Sequence, residues 1–230
     1  MCQLKPSYFA ALSEYAKVLE QKAAILKNYE TGGFDEGLFD IYNEKLSKAG
    51  AFIIRERFRY IGLLNEAAQV FHHDISSGKE RLYVNYIPSP KIEEGFTVQE
   101  GAAILFREFS MVKKREIITG LCLAGPHRDN LEFTINQKDA RLFCSQGQQR
   151  SCVLSLKLAE CELFKAEFSQ YPVLLLDDIM SELDHSRQDY IINQIRGKQV
   201  IITCCGEELF APVGSKAIFV IKEGRIQKEE

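Results

Sequence analysis

The chain has 230 residues, of which 46% are hydrophobic and 27% charged, and its formal net charge is −3. This is an ordinary globular composition, long enough for one large domain or two small ones, and it gives no global positive field that would indicate nucleic acid. No apolar stretch approaches the roughly 20 residues that span a bilayer and the N-terminus lacks a signal-peptide core, so we expect a soluble, cytoplasmic protein without a membrane partner.

The first third of the chain is predicted to be helical. Apolar side chains recur at steps of three and four over residues 8–26, which is the pattern of one helix face, and residues 31–33 (TGG) are predicted to end this helix. A second stripe runs over residues 38–71 until residues 76–78 (SSG) break it. Its length predicts an arm, or a coiled-coil-like pair with the first helix.

The middle of the chain combines a strand with a further helix. Residues 81–87 (RLYVNYI) alternate and are rich in β-branched and aromatic side chains, which predicts a strand. Residues 97–118 return to helical spacing. The basic run 113–115 lies near the end of that helix, where it complements the helix dipole; phosphate binding is the alternative.

From Gly120 onward, short apolar runs alternate with helical patterns, which indicates a parallel sheet covered by helices. The predicted strands are residues 121–124, 131–135, 173–176, 200–203 and 217–221, and the predicted helices are residues 148–168 and 186–195. This change of character places a boundary near residue 116. We therefore predict a helical arm domain over residues 1–115 and an α/β domain over residues 116–230.

Two carboxylates follow the strand predicted at residues 173–176. The apolar run lacks polar alternation, which predicts a strand buried on both faces, and ligands bind at the carboxyl ends of such strands. Adjacent carboxylates at that edge are costly unless a cation or a donor satisfies them. We assign Asp177 to Mg²⁺, directly or through water, and Asp178 to positioning or deprotonating an attacking water. An ordinary strand ending at an Asp turn is the alternative.

A Ser and a Gly precede the helix predicted at residues 148–168. In SQGQQR, Ser145 can donate a hydroxyl hydrogen bond, and Gly147 lets the backbone approach an anion at the positive end of the helix dipole. In isolation such a Ser is usually only a helix cap. Followed by the apolar run and its carboxylates, the segment indicates an ATPase of the ABC type, although the phosphate-loop pattern G-x-x-x-x-G-K-[ST] is absent from the sequence.

A short polar loop, Ser181, Glu182, Leu183 and Asp184, follows the carboxylates directly. Such a loop can complete the site of a neighbouring subunit. Asp184 can equally cap the helix that begins near His185, and both roles are left open.

Several other polar residues are interpreted as structural. His127 and Arg128 could contact phosphate, but a salt bridge of Arg128 with Asp129 within the turn is favoured. His72 and His73 show no metal-ligand spacing and are predicted to lie at the surface.

Candidate DNA contacts are basic side chains on the predicted arm helices. They are Arg55, Arg59, Lys113, Lys114 and Arg115.

Four segments resemble the RecF family of bacterial recombination and repair proteins, which are relatives of the SMC ATPases. They are GPHRDN, KDARLFCSQGQQR, LSLKLAE and YPVLLLDDIMSELD. The resemblance runs through essentially the whole chain and implies an α/β fold, namely the C-terminal part of an ABC-type P-loop ATPase sheet preceded by a helical arm (lobe II-like) domain. Asn130 stands where the family usually carries Asp, and the family's first third, with its phosphate loop, has no counterpart here.

The resemblance also implies a function. Family members are ATP-dependent DNA-binding proteins that form homodimers with ATP and Mg²⁺ between the subunits. They act on double-stranded and gapped DNA and help to place the RecA recombinase together with RecO and RecR. Weak ATPase activity is expected only for a full-length dimer; a non-enzymatic DNA- or protein-binding module is the alternative. An ABC transporter subunit is disfavoured by the helical arm and by Thr203-Cys204-Cys205, which replace the expected His.

The resemblance assigns roles to three groups of residues. Ser145, Gln146, Gly147, Gln148 and Gln149 occupy the signature segment that contacts the partner subunit's ATP, Asp177 and Asp178 occupy the metal and catalytic positions of the Walker B strand, and Ser181, Glu182, Leu183 and Asp184 occupy the D-loop beside them.

Overall fold

The structure, a computed structural model, describes residues 1–27, 29, 35–178, 180, 183–204 and 216–229. Its helices are α1 (Pro6–Lys27), α2 (Glu36–Ile75), α3 (Val98–Thr119), α4 (Ala140–Phe143), α5 (Gln146–Phe168) and α6 (His185–Gln194). Its strands are β1 (Leu82–Ile87), β2 (Asn130–Ile135), β3 (Lys138–Asp139), β4 (Leu174–Asp177), β5 (Val200–Thr203), β6 (Ile218–Lys222) and β7 (Arg225–Glu229). Within these ranges no helix is both long and apolar enough to cross a membrane. Residues 31–33, predicted to end the first helix, lie outside them.

The long helix α2 runs through the whole fold. It has 40 residues, which corresponds to about 60 Å. The Asp35 carboxylate caps its start by accepting a hydrogen bond from the Leu38 N–H at 2.9 Å. The helix ends at Ser76, and α1 and α3 pack along its N-terminal half. The prediction of a long helix paired with the first one is therefore confirmed.

Three large apolar cores lie along α2, besides a small one around Phe39 near its start. The first joins α2 to α1 and α3 around buried side chains such as Leu46 and Phe109. The second joins the middle of α2, including Leu64, to β1, β2 and α5. The third joins Ile75, at the C-terminal end of α2, to α5, β4 and α6. The same helix thus packs against elements on both sides of residue 116, where the predicted domain boundary stays a prediction.

The described strands form three separate small sheets. β1, β2 and β3 form an antiparallel sheet in which Leu82 pairs with Ile135, so the strand predicted at residues 131–135 is not part of a parallel sheet. β4 and β5 pair in parallel, as predicted. β6 and β7 form an antiparallel hairpin, of which the sequence predicted only the first strand.

The prediction of a strand at residues 121–124 is wrong. Side chains hydrogen-bond to the backbone N–H and carbonyl groups that would otherwise pair with a neighbouring strand. The Arg128 guanidinium donates to the Cys122 carbonyl oxygen from Nε at 3.1 Å and from Nη2 at 2.9 Å. The Leu123 N–H donates to Glu116 Oε1 at 2.8 Å. The segment is consequently an irregular turn held against the end of α3.

Asp129 pairs with Arg57 of α2 and not with Arg128, which corrects the predicted salt bridge within the turn. Arg57 Nη1 lies 2.6 Å from Asp129 Oδ2 and 2.6 Å from the Pro126 carbonyl oxygen. Arg57 Nε donates to the Tyr8 hydroxyl at 3.0 Å. The guanidinium therefore joins α1, α2 and the turn before β2. Sequence spacing alone could not show a pairing across so many residues.

A buried ion pair connects α1 with α3. Lys22 Nζ lies 2.7 Å from Glu116 Oε2, and the two side chains are 1% and 0% exposed. The ammonium also lies 4.8 Å from the ring centroids of Phe39 and Phe109. Buried charges persist only when they are paired in this way, so the contact fixes how α1, α2 and α3 meet.

Candidate nucleotide site

The end of β4 carries the two predicted carboxylates, and the end of β5 lies beside them. In the parallel register Asp177 pairs with Thr203. The Thr203 hydroxyl donates to Asp177 Oδ1 and accepts from the Asp178 N–H at 3.0 Å. Thr203 is not among the site residues predicted from the sequence. Aligning LLLD with VIIT as neighbouring parallel strands would have found it, because their last residues then coincide.

The backbone turns sharply at Asp178, where φ is +48°. This left-handed conformation is uncommon for residues other than Gly, and Asp and Asn adopt it more readily than most. Asp177 and Asp178 are both exposed. Since Asp178 leaves the strand conformation, the two adjacent residues are not simple alternating positions of one strand.

The predicted burial of both faces of β4 is wrong for the described residues. Leu174 and Leu176 are 5% and 2% exposed and pack in the core with α5 and α6, whereas Leu175 is 68% exposed. Ile201 of β5 is 56% exposed. In the described residues, helices cover only one face of the two-stranded sheet. The uninterrupted apolar run of β4 therefore did not predict which of its faces is buried.

The donor atoms at the end of β4 suit Mg²⁺. Asp177 offers an exposed carboxylate with a hydroxyl beside it, and Mg²⁺ in nucleotide sites commonly takes one or two carboxylates together with phosphate oxygens and waters. Among the residues that the structure describes, no three His, Cys, Asp or Glu side chains converge. A metal held here would therefore take most of its ligands from nucleotide and water.

The predicted signature segment forms the first turn of α5. Ser145 is the N-cap, with φ −65° and ψ 160°, and makes a capping box with Gln148. The Ser145 N–H donates to Gln148 Oε1 at 2.9 Å, and the Gln148 N–H donates to Ser145 Oγ at 3.3 Å. Ser145 and Gln146 are exposed. Ser145 is thus a helix cap whose hydroxyl hydrogen remains to be donated.

Gly147 and Gln149 have distinct surroundings in that turn. A Cβ on Gly147 would lie 3.0 Å from Arg187 Nη1, so the absence of a side chain lets α6 approach the start of α5. Gln149 Nε2 donates to the Ala140 carbonyl oxygen at 3.0 Å and so holds α4 against α5. The signature segment is therefore fixed from two sides.

Only the last part of the predicted D-loop is described. Ser181 and Glu182 lie outside the described residues, whereas Leu183 is buried and Asp184 is the N-cap of α6. Asp184 Oδ1 accepts from the Arg187 N–H at 3.0 Å, which confirms the capping role. Gln188 Nε2 donates to the Leu183 carbonyl oxygen at 3.0 Å and anchors the loop.

His72 is buried, contrary to the surface position predicted for it. Its exposure is 0%, and its Nε2 lies 3.1 Å from Glu80 Oε2. Burial lowers the pKa of His72 below its ordinary value, although contact with Glu80 opposes this shift. Helical spacing placed His72 and His73 on different faces, and only tertiary packing decided which face was covered. His73 is exposed, as predicted.

The candidate DNA contacts lie in different surroundings. Lys113 Nζ lies 2.7 Å from Glu36 Oε1 and 3.1 Å from Asp40 Oδ1, at the N-terminal end of α2. Arg55 is exposed and lies roughly 22 Å further along the helix axis than Asp40, as the rise per residue requires. Arg59, Lys114 and Arg115 are also exposed. The candidates therefore do not form one continuous patch.

The sequence of the chain is similar to those of known proteins. No protein-family model matches the chain. It is 43% identical over 208 residues to DNA replication and repair protein RecF of Bacillus mycoides (strain KBAB4), covering 90% of this chain and 56% of that protein. It is 44% identical over 202 residues to the RecF protein of Bacillus cytotoxicus, covering 87% of this chain and 54% of that protein.

Solved structures give the same result. The chain is similar to the recombination mediator protein RecF-ATP of the RecFOR pathway, with a TM-score of 0.86 and 32% identity over 99% of this chain and 60% of that one. The corresponding RecF-ATPγS structure matches with a TM-score of 0.86 and 33% identity, covering 98% of this chain and 59% of that one.

Over this shared length, the chain is similar to RecF proteins in both sequence and structure. The fold is α/β, as predicted, and it matches the solved RecF structures over nearly the whole of this chain. The chain spans between half and two thirds of the length of the RecF proteins it matches. The roles of individual residues in this site stay predictions.

Proposed function

We propose that this chain supplies the signature segment, the Walker B carboxylates and the arm of an ATP-dependent DNA-binding protein of recombinational DNA repair. One observation carries the proposal. A chain 43% identical to RecF proteins packs the helix that begins with SQGQQ and the strand that ends with two Asp residues into the same apolar core. The relatives' names, which refer to DNA replication and repair and to ATP, support it.

The proposed chemistry divides between two surfaces of the chain. ATP with Mg²⁺ would supply the phosphoryl group that is transferred to water. Asp177 would hold the metal, and Asp178 would orient the attacking water and take up its proton. Ser145 would donate its free hydroxyl hydrogen, and α5 would direct its N-terminal dipole, toward a γ-phosphate held by a second subunit. The exposure of Ser145, Asp177 and Asp178 leaves each of them open to such contacts.

The proposed partners follow from this arrangement. The protein would act as an ATP-dependent homodimer on double-stranded and gapped DNA, with RecR and RecO as mediator partners. The arm of residues 1–115 would contribute DNA contacts through exposed cations such as Arg55 and Arg59. A non-enzymatic DNA- or protein-binding module is the second candidate, since the phosphate-loop pattern is absent from the sequence.

The chain alone is expected to bind ATP with a dissociation constant above the micromolar range. A phosphate loop normally supplies most of the backbone donors and a Lys to the nucleotide, whereas the signature segment contacts ATP that another subunit already holds. Isothermal titration calorimetry of residues 1–230 with Mg-ATP measures this. Binding at micromolar ATP would contradict the assignment of the signature segment to a partner's nucleotide.

Ser145→Arg is expected to abolish ATP-driven dimerisation in an N-terminally extended protein, defined here as this chain preceded by a RecF-family phosphate-loop segment. The larger side chain would occupy the space of the partner's γ-phosphate, while loss of the cap costs only about 1 kcal/mol of stability. Light scattering with a non-hydrolysable ATP analogue measures the dimer.

Ala166→Arg is the matched control, because it places the same side chain at an exposed position near the other end of α5. The control protein should dimerise like the parent. Dimers of Ser145→Arg forming as readily as the parent's would show that Ser145 is only a helix cap.

A further inference from the structure

A partly buried polar cluster lies behind the signature segment and joins it to α2 and α6. We call it the Glu80 cluster; its members are His72, Glu80, Gln148, Arg187 and Asp184. Glu80 lies on the loop between α2 and β1, with its side chain 11% exposed. Its backbone N–H donates to Ser76 Oγ at 3.2 Å, which fixes the loop to the end of α2.

Gln148 connects the carboxylate of Glu80 to the cap of α5. Gln148 Nε2 donates to Glu80 Oε1 at 3.0 Å, while Gln148 Oε1 accepts from the Ser145 N–H at 2.9 Å. Because a carboxylate can only accept and a backbone N–H can only donate, both contacts require the same orientation of the amide. The position of Glu80 therefore determines where the Gln148 side chain, and with it Ser145, is held.

Arg187 connects the same carboxylate to α6. Its Nη2 lies 3.9 Å from Glu80 Oε1, and its Nε lies 3.5 Å from Asp184 Oδ2. Its Nη1 lies close to Gly147, at the start of α5. A cation beside the positive end of a helix dipole is unfavourable by itself, and the two carboxylates offset that cost. Arg187 thus joins the D-loop end of α6 to the signature turn.

His72 ties the cluster to α2 and to the interior of α5. Its Nε2 lies 3.1 Å from Glu80 Oε2, and since the carboxylate can only accept, this nitrogen carries the hydrogen. Its Nδ1 lies 3.3 Å from Ser155 Oγ on α5. Both oxygens of Glu80 are consequently engaged: Oε1 faces α5 and α6, and Oε2 faces α2.

We propose that Glu80 is a positioning residue for the signature segment: it holds Ser145 and Gly147 in place through Gln148 and Arg187 and couples them to the end of α2. The proposal rests on the proposed function, because it assumes that these residues contact a partner subunit's ATP. Glu80 itself does not touch the nucleotide. A displacement of the end of α2, the helix of the arm, would move the carboxylate and with it the cap of α5.

Glu80→Gln tests the proposal in two measurements. The substitution removes the charge that Gln148 Nε2 binds, so the Gln148 side chain is held less firmly in the capping box. In residues 1–230, we therefore expect the Ser145 and Gln148 backbone amides to exchange with solvent about 10-fold faster, as measured by NMR. The melting temperature should stay within a few degrees of the parent. In the N-terminally extended protein, ATP binding by the single subunit should be unchanged, while the dimer's dissociation constant should rise about 10-fold.

Glu66→Gln is the matched control, since it neutralises an exposed carboxylate on α2 outside the cluster. Both readouts of the control should equal those of the parent. Should Glu80→Gln fail to fold, Glu80→Asp replaces it, because it keeps the charge but draws the carboxylate back from Gln148 Nε2 and Arg187.

The two measurements separate failure of this proposal from failure of the proposed function. Unchanged exchange at Ser145 and Gln148 would overturn the positioning role. Faster exchange with a dimer of parental affinity would overturn the link between positioning and assembly. A parent protein that does not dimerise with ATP would contradict the proposed function, and the exchange measurement would then still decide whether Glu80 positions the signature turn.

Discussion

Asp178→Asn is expected to slow ATP hydrolysis by about 10²–10⁴-fold in the N-terminally extended protein, while ATP binding and dimer formation remain. The amide keeps the shape of the carboxyl group but cannot accept the proton of the attacking water. Asn also tolerates the φ of +48° at this position, so the backbone turn after β4 should be preserved. Steady-state phosphate release measures the rate, and light scattering measures the dimer.

Asp177→Asn is the matched comparison, because it makes the same change one residue earlier, at the end of the strand. It should raise the Mg²⁺ concentration needed for half-maximal activity, since the metal loses a charged oxygen ligand. Hydrolysis by Asp178→Asn at the parental rate would show that the roles of the two carboxylates are assigned wrongly.

Lys22→Ala is expected to destabilise the chain by about 3–5 kcal/mol. The substitution removes one member of a buried ion pair and leaves the Glu116 carboxylate, 0% exposed, without its counter-charge. It also removes the ammonium from between the rings of Phe39 and Phe109. Urea unfolding followed by circular dichroism measures the change.

Two controls distinguish the charge pair from simple loss of a side chain. Lys17→Ala, at an exposed position on the same helix, should leave the free energy of unfolding within about 0.5 kcal/mol of the parent. The double variant Lys22→Met with Glu116→Gln should recover part of the lost stability, because it leaves no unpaired buried charge and keeps an oxygen that can accept from the Leu123 N–H. A single variant as stable as the parent would show that the pair is not needed.

The elements that the sequence predicted well are those whose evidence is local. α2, α3 and α5 carry long apolar stripes, and their start signals appear in the structure as caps at Asp35, Thr97 and Ser145. β4 and β5 are short apolar runs of the expected length. These patterns are set by residues within a few positions of one another, so no knowledge of the packing was required.

The parts that the sequence did not predict depend on contacts between distant segments. His72 is buried by α5, and Leu175 is exposed because helices cover only one face of β4. Thr203 and Glu80 likewise gain their roles from neighbours far away in the chain. Periodicity and motif spacing carry no information about such partners. Residues 121–124 are the exception, because the side chains that hold them, Arg128 and Glu116, are close in sequence.

During synthesis, α2 is made before α5, a later helix against which it packs. Ala68, in the C-terminal half of α2, is completely buried in a core that it shares with Cys152 and Ala159 of α5. At roughly 5–20 residues per second, synthesis delivers α5 several seconds after α2. During that interval the N-terminal half of α2 can already pack against α1, whereas the part of its apolar stripe that faces α5 stays open to solvent.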